Sequence, residues 1–287
     1  MDMDNKGAVV ITGASSGIGK ACSLFLDQMG YRVFAGVRTS SAAEKLKTEA
    51  SSRLVPVMLD ITNTNQIQRA VQEIKTNLGI SGRLVGLINN AGIILSGPLE
   101  FFPLERLREQ LQVNVIGPIA VTQAFLSLIR KGKGRIINMG SASGLFVPPF
   151  LGPYAASKFA MEAWTDALRR ELRPEGIPVS LIESGAIETP IWDKSQAVAN
   201  SLEAALPDQG KTLYGNALAT GRKQMENLRR RAASPLVVAK VVHKALISHH
   251  PKSRYLVGMD AHVQAFISRW VPARLVDDVI AKLLFRD

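Results

Sequence analysis

The chain has 287 residues, of which 46% are hydrophobic and 21% charged, and it carries a formal net charge of +11. This composition is that of an ordinary folded protein and excludes an intrinsically disordered one. The single cysteine, Cys22, excludes an internal disulfide and a multi-cysteine metal site, and no histidine has ligand-like spacing, so we expect no metal.

Charge and hydropathy limit the classes of binding partner and the cellular compartments that we expect for this protein. Part of the basic excess lies in Arg222, Lys223 and Arg229–Arg231, which indicates a solvated helix face or attraction to phosphate or lipid headgroups. No zinc finger, helix-turn-helix or aromatic RNA-binding signature accompanies it, so we expect no nucleic-acid partner. The first apolar run, Ala8–Ile11, ends at a glycine-rich turn, and no uninterrupted apolar stretch approaches the ~20 residues of a membrane span. We therefore expect a cytoplasmic protein.

Short β-rich apolar runs alternate with helical patterns along the chain. The predicted strands are Ala8–Ile11, Arg32–Val37, Val55–Leu59, Leu84–Asn89, Gly134–Met139, Val179–Glu183 and Arg254–Val257. The predicted helices between them include Lys20–Met29, Asn65–Leu78, Leu104–Arg130 and Ser157–Arg173. Such alternation predicts right-handed βαβ crossovers and a parallel sheet covered on both faces. We expect an α/β, doubly wound, Rossmann-like fold of about seven strands, in one domain spanning residues 1–287.

Two segments fall outside this alternation. Residues 190–233 form a long insert between the sixth and seventh strands, and we expect them to be a lid over the substrate. Residues 260–287 follow the seventh strand and form a predicted C-terminal helical extension.

A glycine-rich turn follows the first strand and opens the first helix, in the sequence Thr12-Gly-Ala-Ser-Ser-Gly-Ile-Gly19. Glycines permit positive φ angles and let backbone N–H groups approach a pyrophosphate at a helix N-terminus. The strand–turn–helix context makes this a dinucleotide-binding turn rather than an ordinary tight turn. The expected cofactor-binding residues here are Gly13, Ser15, Ser16, Gly17, Ile18 and Gly19.

With this turn, the chain resembles the short-chain dehydrogenase/reductase family over about residues 7–190. A second family motif is matched by Asn89-Asn90-Ala91-Gly92 after the fourth strand, and Asp60 matches the acidic residue used beside the adenine. The resemblance implies cofactor contacts from Asp60, Ile61, Asn89, Ala91 and Gly92.

The end of the second strand predicts the choice of dinucleotide. An acidic residue there accepts hydrogen bonds from the 2′-OH of NAD. Here Val37 occupies that place and Arg38 follows it. Arginine pairs a 2′-phosphate through charge-assisted hydrogen bonds, so we expect the cofactor NADP(H), with an ordinary surface arginine as the alternative.

Tyr154 and Lys158 lie four residues apart on a predicted helix and therefore share a face. Alcohol oxidation needs a base and carbonyl reduction an acid, and a neighbouring ammonium lowers the pKa of a phenol. Ser141 follows the fifth strand at the family's spacing before the tyrosine and would hydrogen-bond the substrate oxygen, with Ser143 as the competing candidate.

By resemblance, Asn114 is the fourth catalytic residue. Pro118 has no N–H, so the Asn114 carbonyl loses its helical partner and would hold a water connected to Lys158. The alternative is a proline kink without a catalytic part.

After the sixth strand the family has Pro-Gly and then a threonine, whereas this chain has Ser184-Gly185-Ala186-Ile187-Glu188-Thr189. Serine leaves φ free where proline would fix it, which puts the rigidity of this nicotinamide shelf in doubt. Gly185, the Ile187 backbone and the Thr189 hydroxyl remain expected partners of the cofactor.

Apolar residues follow the strand ends where ligands bind in such sheets. They include Ile93–Leu95, Leu145–Val147, Phe150, Leu151 and, in the insert, Ile191, Trp192, Leu202, Leu206, Leu213 and Tyr214. They favour a hydrophobic alcohol or carbonyl substrate under a mobile lid; the alternative for many of them is packing of the fold alone. The long lid and the tail resemble the retinol and hydroxysteroid dehydrogenase-like branch.

Three alternative functions remain open: a 3-oxoacyl thioester reductase, a dinucleotide-sensing regulatory protein, and an epimerase or dehydratase on the same fold. In the tail, Leu275, Val276, Val279, Ile280, Leu283 and Leu284 recur at helical spacing. This pattern predicts docking on the protein's own domain or on an oligomer partner, with peripheral membrane contact as the alternative. The family resemblance implies a homodimer or homotetramer.

Overall fold

The computed structural model describes residues 6–285, so both ends of the chain, residues 1–5 and 286–287, lie outside the description. Within the described residues, seven strands form one parallel sheet in the order β3-β2-β1-β4-β5-β6-β7. The strands are β1 Ala8–Ile11, β2 Arg32–Val37, β3 Leu54–Met58, β4 Leu84–Asn89, β5 Arg135–Met139, β6 Val179–Ser184 and β7 Arg254–Val257. The predicted doubly wound, Rossmann-like sheet is confirmed; four strands have the predicted bounds, and β3, β5 and β6 differ from them by one residue.

Helices cover both faces of this sheet. Those before β6 are α1 Gly17–Gln28, α2 Ser40–Lys47, α3 Thr64–Leu78, α4 Leu104–Leu111, α5 Gly117–Gly132 and α6 Gly152–Leu172. Those after it are α7 Ile191–Ala204, α8 Asp208–Arg229, α9 Pro235–Ile247, α10 Met259–Trp270 and α11 Ala273–Leu284.

The side chains of β1 alternate between two hydrophobic cores. Val9 and Ile11 pack in the core that contains α1 and α9, whereas Ala8 and Val10 pack in the core that contains α3 and α5. Because successive residues of a strand point to opposite faces, a strand buried on both faces has apolar residues throughout. The run Ala8–Ile11 is fully buried for this reason.

The predicted helix Leu104–Arg130 is continuous but changes its hydrogen bonding in the middle. Residues Gln112–Ile116 form a π-helical segment between α4 and α5, and the Gly117 amide donates to the Gln112 carbonyl five residues back. Pro118 provides the reason, because it has no N–H to bond the Asn114 carbonyl in α-helical register.

Leu104–Gly132 is also the one helix in the described residues that is long and apolar enough, by length and composition, to cross a membrane. Val121, Phe125 and Ile129 on it are buried in the core beside the sheet. The packing of the fold therefore accounts for its apolar character.

Helix α6 begins at Gly152, five residues before the predicted start at Ser157, with Pro153 in its first turn. Proline is favoured there because its fixed φ suits a helix and the first N–H groups have no helical partner. Tyr154 and Lys158 therefore both lie on the helix, and the predicted sharing of one face is confirmed.

Candidate active site

A cavity of about 960 Å³ opens at the carboxyl ends of the strands, where the sheet order reverses between β1 and β4. This is the position at which ligands bind in open parallel sheets. Most of the predicted site residues line it: Gly13, Ser15, Ser16, Gly17, Ile18, Arg38, Asp60, Ile61, Ala91, Gly92, Ser141, Tyr154, Lys158, Gly185, Ile187 and Thr189.

Gly19, Asn89 and Asn114 are predicted site residues that do not line the cavity. A Cβ on Gly19 would lie 2.3 Å from the Gly13 carbonyl oxygen, so this glycine is needed for packing of α1 against the turn. The buried Asn89 amide donates to Thr122 Oγ1 and to Asn138 Oδ1, both at 2.9 Å. The side-chain amide of Asn89 thus bonds α5 and β5, and its contact with the cofactor stays a prediction.

Asn90, which the sequence prediction passed over, does line the cavity. Its side-chain amide donates to the Thr12 carbonyl at 2.9 Å and to the Gly13 carbonyl at 3.2 Å. Thr12 Oγ1 accepts hydrogen bonds from the amides of Asn90 and Ala91 in return. These bonds join the glycine turn to the loop after β4, and the doubled asparagine of the motif was the signal for them.

The geometry of the glycine turn fits a dinucleotide. Gly13 has φ +67° and Gly17 has φ +55°, angles that favour glycine. A Cβ on Gly13 would lie 2.8 Å from Ala91 Cα, and one on Gly17 would lie 3.0 Å from Thr189 Cβ. The turn therefore lies against both walls of the cavity and presents backbone where a pyrophosphate would need to approach.

Arg38 stands at one side of the cavity, directly after β2. It is exposed and makes no ion pair with any described residue. Helix α2 begins two residues later, and Thr39 caps it by accepting a hydrogen bond from the Ala42 amide at 3.3 Å. A free guanidinium beside a helix N-terminus is a favourable place for a phosphate group.

Tyr154, Ser141 and Lys158 lie together beyond the end of β5. The Lys158 Nζ atom is 5.7 Å from the centroid of the Tyr154 ring and donates to the Met139 carbonyl at 2.7 Å. The Ser141 side chain lies close enough to the Tyr154 hydroxyl to lower its pKa. The competing candidate, Ser143, also lines the cavity. Its backbone amide donates a hydrogen bond to Ser141 Oγ at 3.1 Å. The geometry thus places Ser141 beside the phenol.

Burial controls the pKa values of this group. It raises the pKa of Tyr154, and the Ser141 side chain opposes that rise. It lowers the pKa of Lys158 to about 8, while the negative charge of Glu162 opposes that fall. The pKa of Tyr154 is therefore raised above its ordinary value, opposite to the expected lowering, with burial as the largest cause.

Asn114 is buried and acts on the site through its neighbours. Its Oδ1 accepts from the Ile93 amide at 2.9 Å, and its Nδ2 donates to the Ile93 carbonyl at 2.9 Å and to Ser157 Oγ at 3.0 Å. Ser157 Oγ donates to the Tyr154 carbonyl at 2.6 Å. The side chain of Asn114 therefore connects the loop after β4 to the first turn of α6, where Tyr154 lies.

The lining of the remaining cavity is mainly apolar and comes from four parts of the chain. From the predicted set it includes Ile93, Ile94, Leu95, Phe146, Phe150, Leu151, Ile191, Trp192, Leu202 and Leu206. Leu145, Val147, Leu213 and Tyr214 do not line it, although Tyr214 packs edge-to-face on Phe150 at 6.1 Å between ring centroids. Helices α7 and α8 supply the insert's part of the wall, and α11 adds Ile280, Leu283 and Leu284.

Comparisons with known proteins agree with this geometry. Residues 7–200 match the family described as short chain dehydrogenase. The chain is 37% identical to retinol dehydrogenase 5 of Mus musculus, covering 97% of this chain and 89% of that protein. It is 36% identical to 17-beta-hydroxysteroid dehydrogenase type 6 of Bos taurus, covering 96% and 87%.

A bacterial relative is similar over nearly its whole length. The NADPH-dependent 3-dehydrocapnine reductase of Ornithobacterium rhinotracheale is 35% identical, covering 95% of each chain. Among solved structures, a short-chain dehydrogenase from Streptomyces avermitilis aligns with a TM-score of 0.76 at 23% identity, covering 99% of this chain and 96% of that one. The expected resemblance to the retinol and hydroxysteroid dehydrogenase-like branch is confirmed.

Proposed function

Because the chain belongs to the short-chain dehydrogenase/reductase family, we propose that it is an NADP(H)-dependent oxidoreductase that interconverts an alcohol and a carbonyl group on a hydrophobic substrate. One observation carries the proposal: Tyr154, Ser141 and Lys158 meet in the same cavity as the glycine turn and Arg38. The nicotinamide of the cofactor, when bound, would supply or accept the hydride.

The protein's own residues then move and hold the proton. Ser141 hydrogen-bonds the substrate oxygen beside the Tyr154 hydroxyl, and Tyr154 donates a proton in reduction or removes one in oxidation. Lys158, in its charged form, stabilises the phenolate that remains after donation. Because burial raises the pKa of Tyr154, its hydroxyl stays protonated near neutral pH, as an acid in carbonyl reduction must be.

Asn114 is the fourth residue of the proposed active site, and we propose two roles for it. Pro118 leaves the Asn114 carbonyl without its α-helical donor, so this carbonyl is available to hold a water that passes protons to Lys158. The Asn114 side chain, through Ser157, fixes the backbone that carries Tyr154.

NADP(H) is favoured over NAD(H) by the end of β2. Val37 supplies no carboxylate for a 2′-OH, and Arg38 with the N-terminus of α2 offers a cation and free N–H groups for a 2′-phosphate. The relative from Ornithobacterium rhinotracheale, named as NADPH-dependent, supports the same choice.

A hydrophobic substrate is favoured by the apolar wall that α7, α8 and α11 add to the cavity. We propose that residues 1–287 form one catalytic domain, with 190–233 as its lid and 260–287 as its C-terminal extension. Steroids, retinoids and other lipid-like ketones are the substrate class that such a wall suits. The names of the mammalian relatives, which refer to retinol and a hydroxysteroid, point in the same direction.

At the level of partners, we propose a cytoplasmic homodimer or homotetramer with a peripheral membrane contact through α11. One side of α11 docks on its own domain, where Leu284 is buried, which agrees with the predicted intramolecular docking. Leu275 and Val279 remain exposed on it. An exposed apolar ridge beside basic side chains is typical of contact with a membrane surface.

The experiment is a screen of steroids, retinoids, acyl ketones and 3-oxoacyl thioesters that follows the absorbance of the reduced nicotinamide. Steady consumption of NADPH with a ketone excludes a dinucleotide-sensing regulator and an epimerase or dehydratase that regenerates its cofactor. Activity confined to the thioesters would favour the alternative 3-oxoacyl thioester reductase.

Tyr154→Phe tests the proposed proton donor. We expect turnover to fall by about two to four orders of magnitude, because general acid–base catalysis contributes that much, while NADPH affinity changes little. Turnover is measured with the ketone that the screen identifies, and NADPH affinity by fluorescence titration. Full activity of the variant would refute the role of Tyr154.

A further inference from the structure

The segment that follows β6, residues 184–189, forms one wall of the cavity, and we call it the shelf. Ser184, Gly185, Ala186, Ile187 and Thr189 all line the cavity. The shelf begins with serine, which leaves the backbone φ free, so another part of the protein has to fix its path. We propose that Asp260, in the first turn of α10, is the positioning residue that fixes the shelf for the nicotinamide end of the cofactor.

The contact is direct and short. Asp260 Oδ2 accepts a hydrogen bond from the Ala186 amide at 2.6 Å, and the Asp260 side chain also lines the cavity. Hydrogen bonds to an ionised acceptor are shorter and roughly twice as strong as neutral ones. This bond therefore ties the C-terminal extension to the middle of the shelf.

Two glycines make room for the carboxylate. A Cβ on Gly185 would lie 2.1 Å from Asp260 Oδ1, and a Cβ on Gly258 would lie 2.5 Å from the same atom. Gly258 also has φ +100°, which other residues rarely adopt. The carboxylate thus rests directly on the shelf backbone, in a space that only glycine at both positions leaves open.

The rest of the shelf is held from other directions. The Gly185 amide donates to the Val257 carbonyl at 2.9 Å, which extends the pairing of β6 with β7. The Ala186 carbonyl accepts from the Ala233 amide at 3.0 Å, and the Ile187 carbonyl accepts from Trp192 Nε1 at 2.7 Å. The Ala186 amide is the group that depends on Asp260, at the point where the shelf leaves the sheet.

A purely structural role would give a different result. An aspartate in the first turn also stabilises a helix through the helix dipole, and that effect needs the negative charge. The bond to Ala186 needs only an acceptor oxygen, which the amide of asparagine retains. Asp260→Asn therefore separates the two roles, and Asp208→Ala, which removes an exposed first-turn aspartate from α8, is the matched control.

The inference rests on the proposed function, and the test measures binding by the full chain. NADPH is titrated by the fluorescence of its reduced nicotinamide, and adenosine 2′,5′-bisphosphate, which lacks the nicotinamide, by calorimetry. We expect Asp260→Ala to weaken NADPH binding about tenfold, the size of effect of a lost hydrogen bond to a charged group, and to leave binding of the bisphosphate unchanged. Asp260→Asn, whose amide oxygen remains an acceptor without the charge, should lose less NADPH affinity than Asp260→Ala, and Asp208→Ala should bind both ligands like the wild type.

Three results would overturn the inference: normal NADPH affinity in Asp260→Ala, equal weakening of both ligands, or equal losses in Asp260→Asn and Asp260→Ala. A wild-type chain that bound neither ligand would overturn the proposed cofactor, and the inference with it. The two failures are therefore distinguishable.

Discussion

Lys158 and Glu162 lie one turn apart on α6, and their charges bear on the proton-transfer chemistry. Glu162 accepts hydrogen bonds from Arg254, and burial raises the pKa of its carboxyl. Behind it, burial and the negative charge of Glu162 raise the pKa of the buried Glu183 to about 8. The pKa values of both carboxyls are therefore raised, because burial and the repulsion between neighbouring carboxylates disfavour their ionised forms.

This arrangement predicts the pH dependence of carbonyl reduction. The pKa of Lys158 is lowered to about 8, so its ammonium is charged below about pH 8 and loses its proton above it. Since the charged form stabilises the Tyr154 phenolate, we expect the turnover number to be highest below about pH 8 and to fall as pH rises.

Glu162 raises the pKa of Lys158, so Glu162→Gln should move the fall in turnover to lower pH. The measurement is a pH profile of NADPH oxidation with the substrate saturating. Glu171→Gln, an exposed residue on the same helix, is the control and should leave the profile in place. A Glu162→Gln profile that coincided with that of the wild type would contradict the assignment.

Substitution of the Arg38 side chain tests the proposed preference for NADPH over NADH. Arg38→Asp replaces the cation that we propose for the 2′-phosphate with a carboxylate that accepts from a 2′-OH, so the cofactor preference should move from NADPH toward NADH by about tenfold or more. The measurement is kcat/KM for each cofactor. Arg173→Asp makes the same charge change in the turn that follows α6, outside the cavity lining, and should not alter the ratio. Unchanged NADPH preference in Arg38→Asp would remove the argument.

At the scale of elements, α11 has two faces with different environments. Leu284 is buried and lines the cavity, whereas Leu275 is exposed. The helix packs on α8, and both helices contribute to the lining of the cavity. The tail thus belongs to the proposed substrate site as well as to the surface.

We expect Leu284→Ala to raise the KM for a hydrophobic substrate about tenfold, because a buried leucine side chain contributes ~1.5–3 kcal/mol of apolar contact. The turnover number and NADPH affinity should change little, since Leu284 is not among the residues placed at the proton-transfer group or the glycine turn. Steady-state kinetics measure the change, and Leu275→Ala is the matched control. Equal KM values for the two variants would contradict a substrate wall formed by α11.

At the scale of the whole molecule, the C-terminal extension carries several exposed apolar side chains. Val263, Phe266 and Trp270 on α10, with Leu275 and Val279 on α11, are each about half exposed or more. Arg269, Arg274 and Lys282 lie on the same two helices. Single exposed apolar residues are ordinary, but several on two consecutive helices that also carry basic residues are typical of contact with an anionic membrane surface.

This surface predicts co-sedimentation with anionic phospholipid vesicles. The double variant Trp270→Glu and Val279→Glu should lose pelleting, because it places two charges in the apolar contact. Ile80→Glu, at a residue that is 95% exposed in the loop between α3 and β4, is the control and should pellet like the wild type. If the wild type did not pellet with the vesicles, the membrane proposal would be refuted. Light scattering would then measure the oligomeric state and test whether a second copy of the chain covers the exposed residues of α10 and α11.

The sequence by itself determined the positions of the seven strands, the glycine turn and the Tyr154–Lys158 pair. These features depend on local periodicity and on spacing within one helix. Only the tertiary structure decided that Asn90 lines the cavity, that burial raises the pKa of Tyr154, and that Asp260 reaches the shelf. Those facts depend on how residues far apart in the chain pack against one another, and the pattern along a single strand or helix carries no record of that packing.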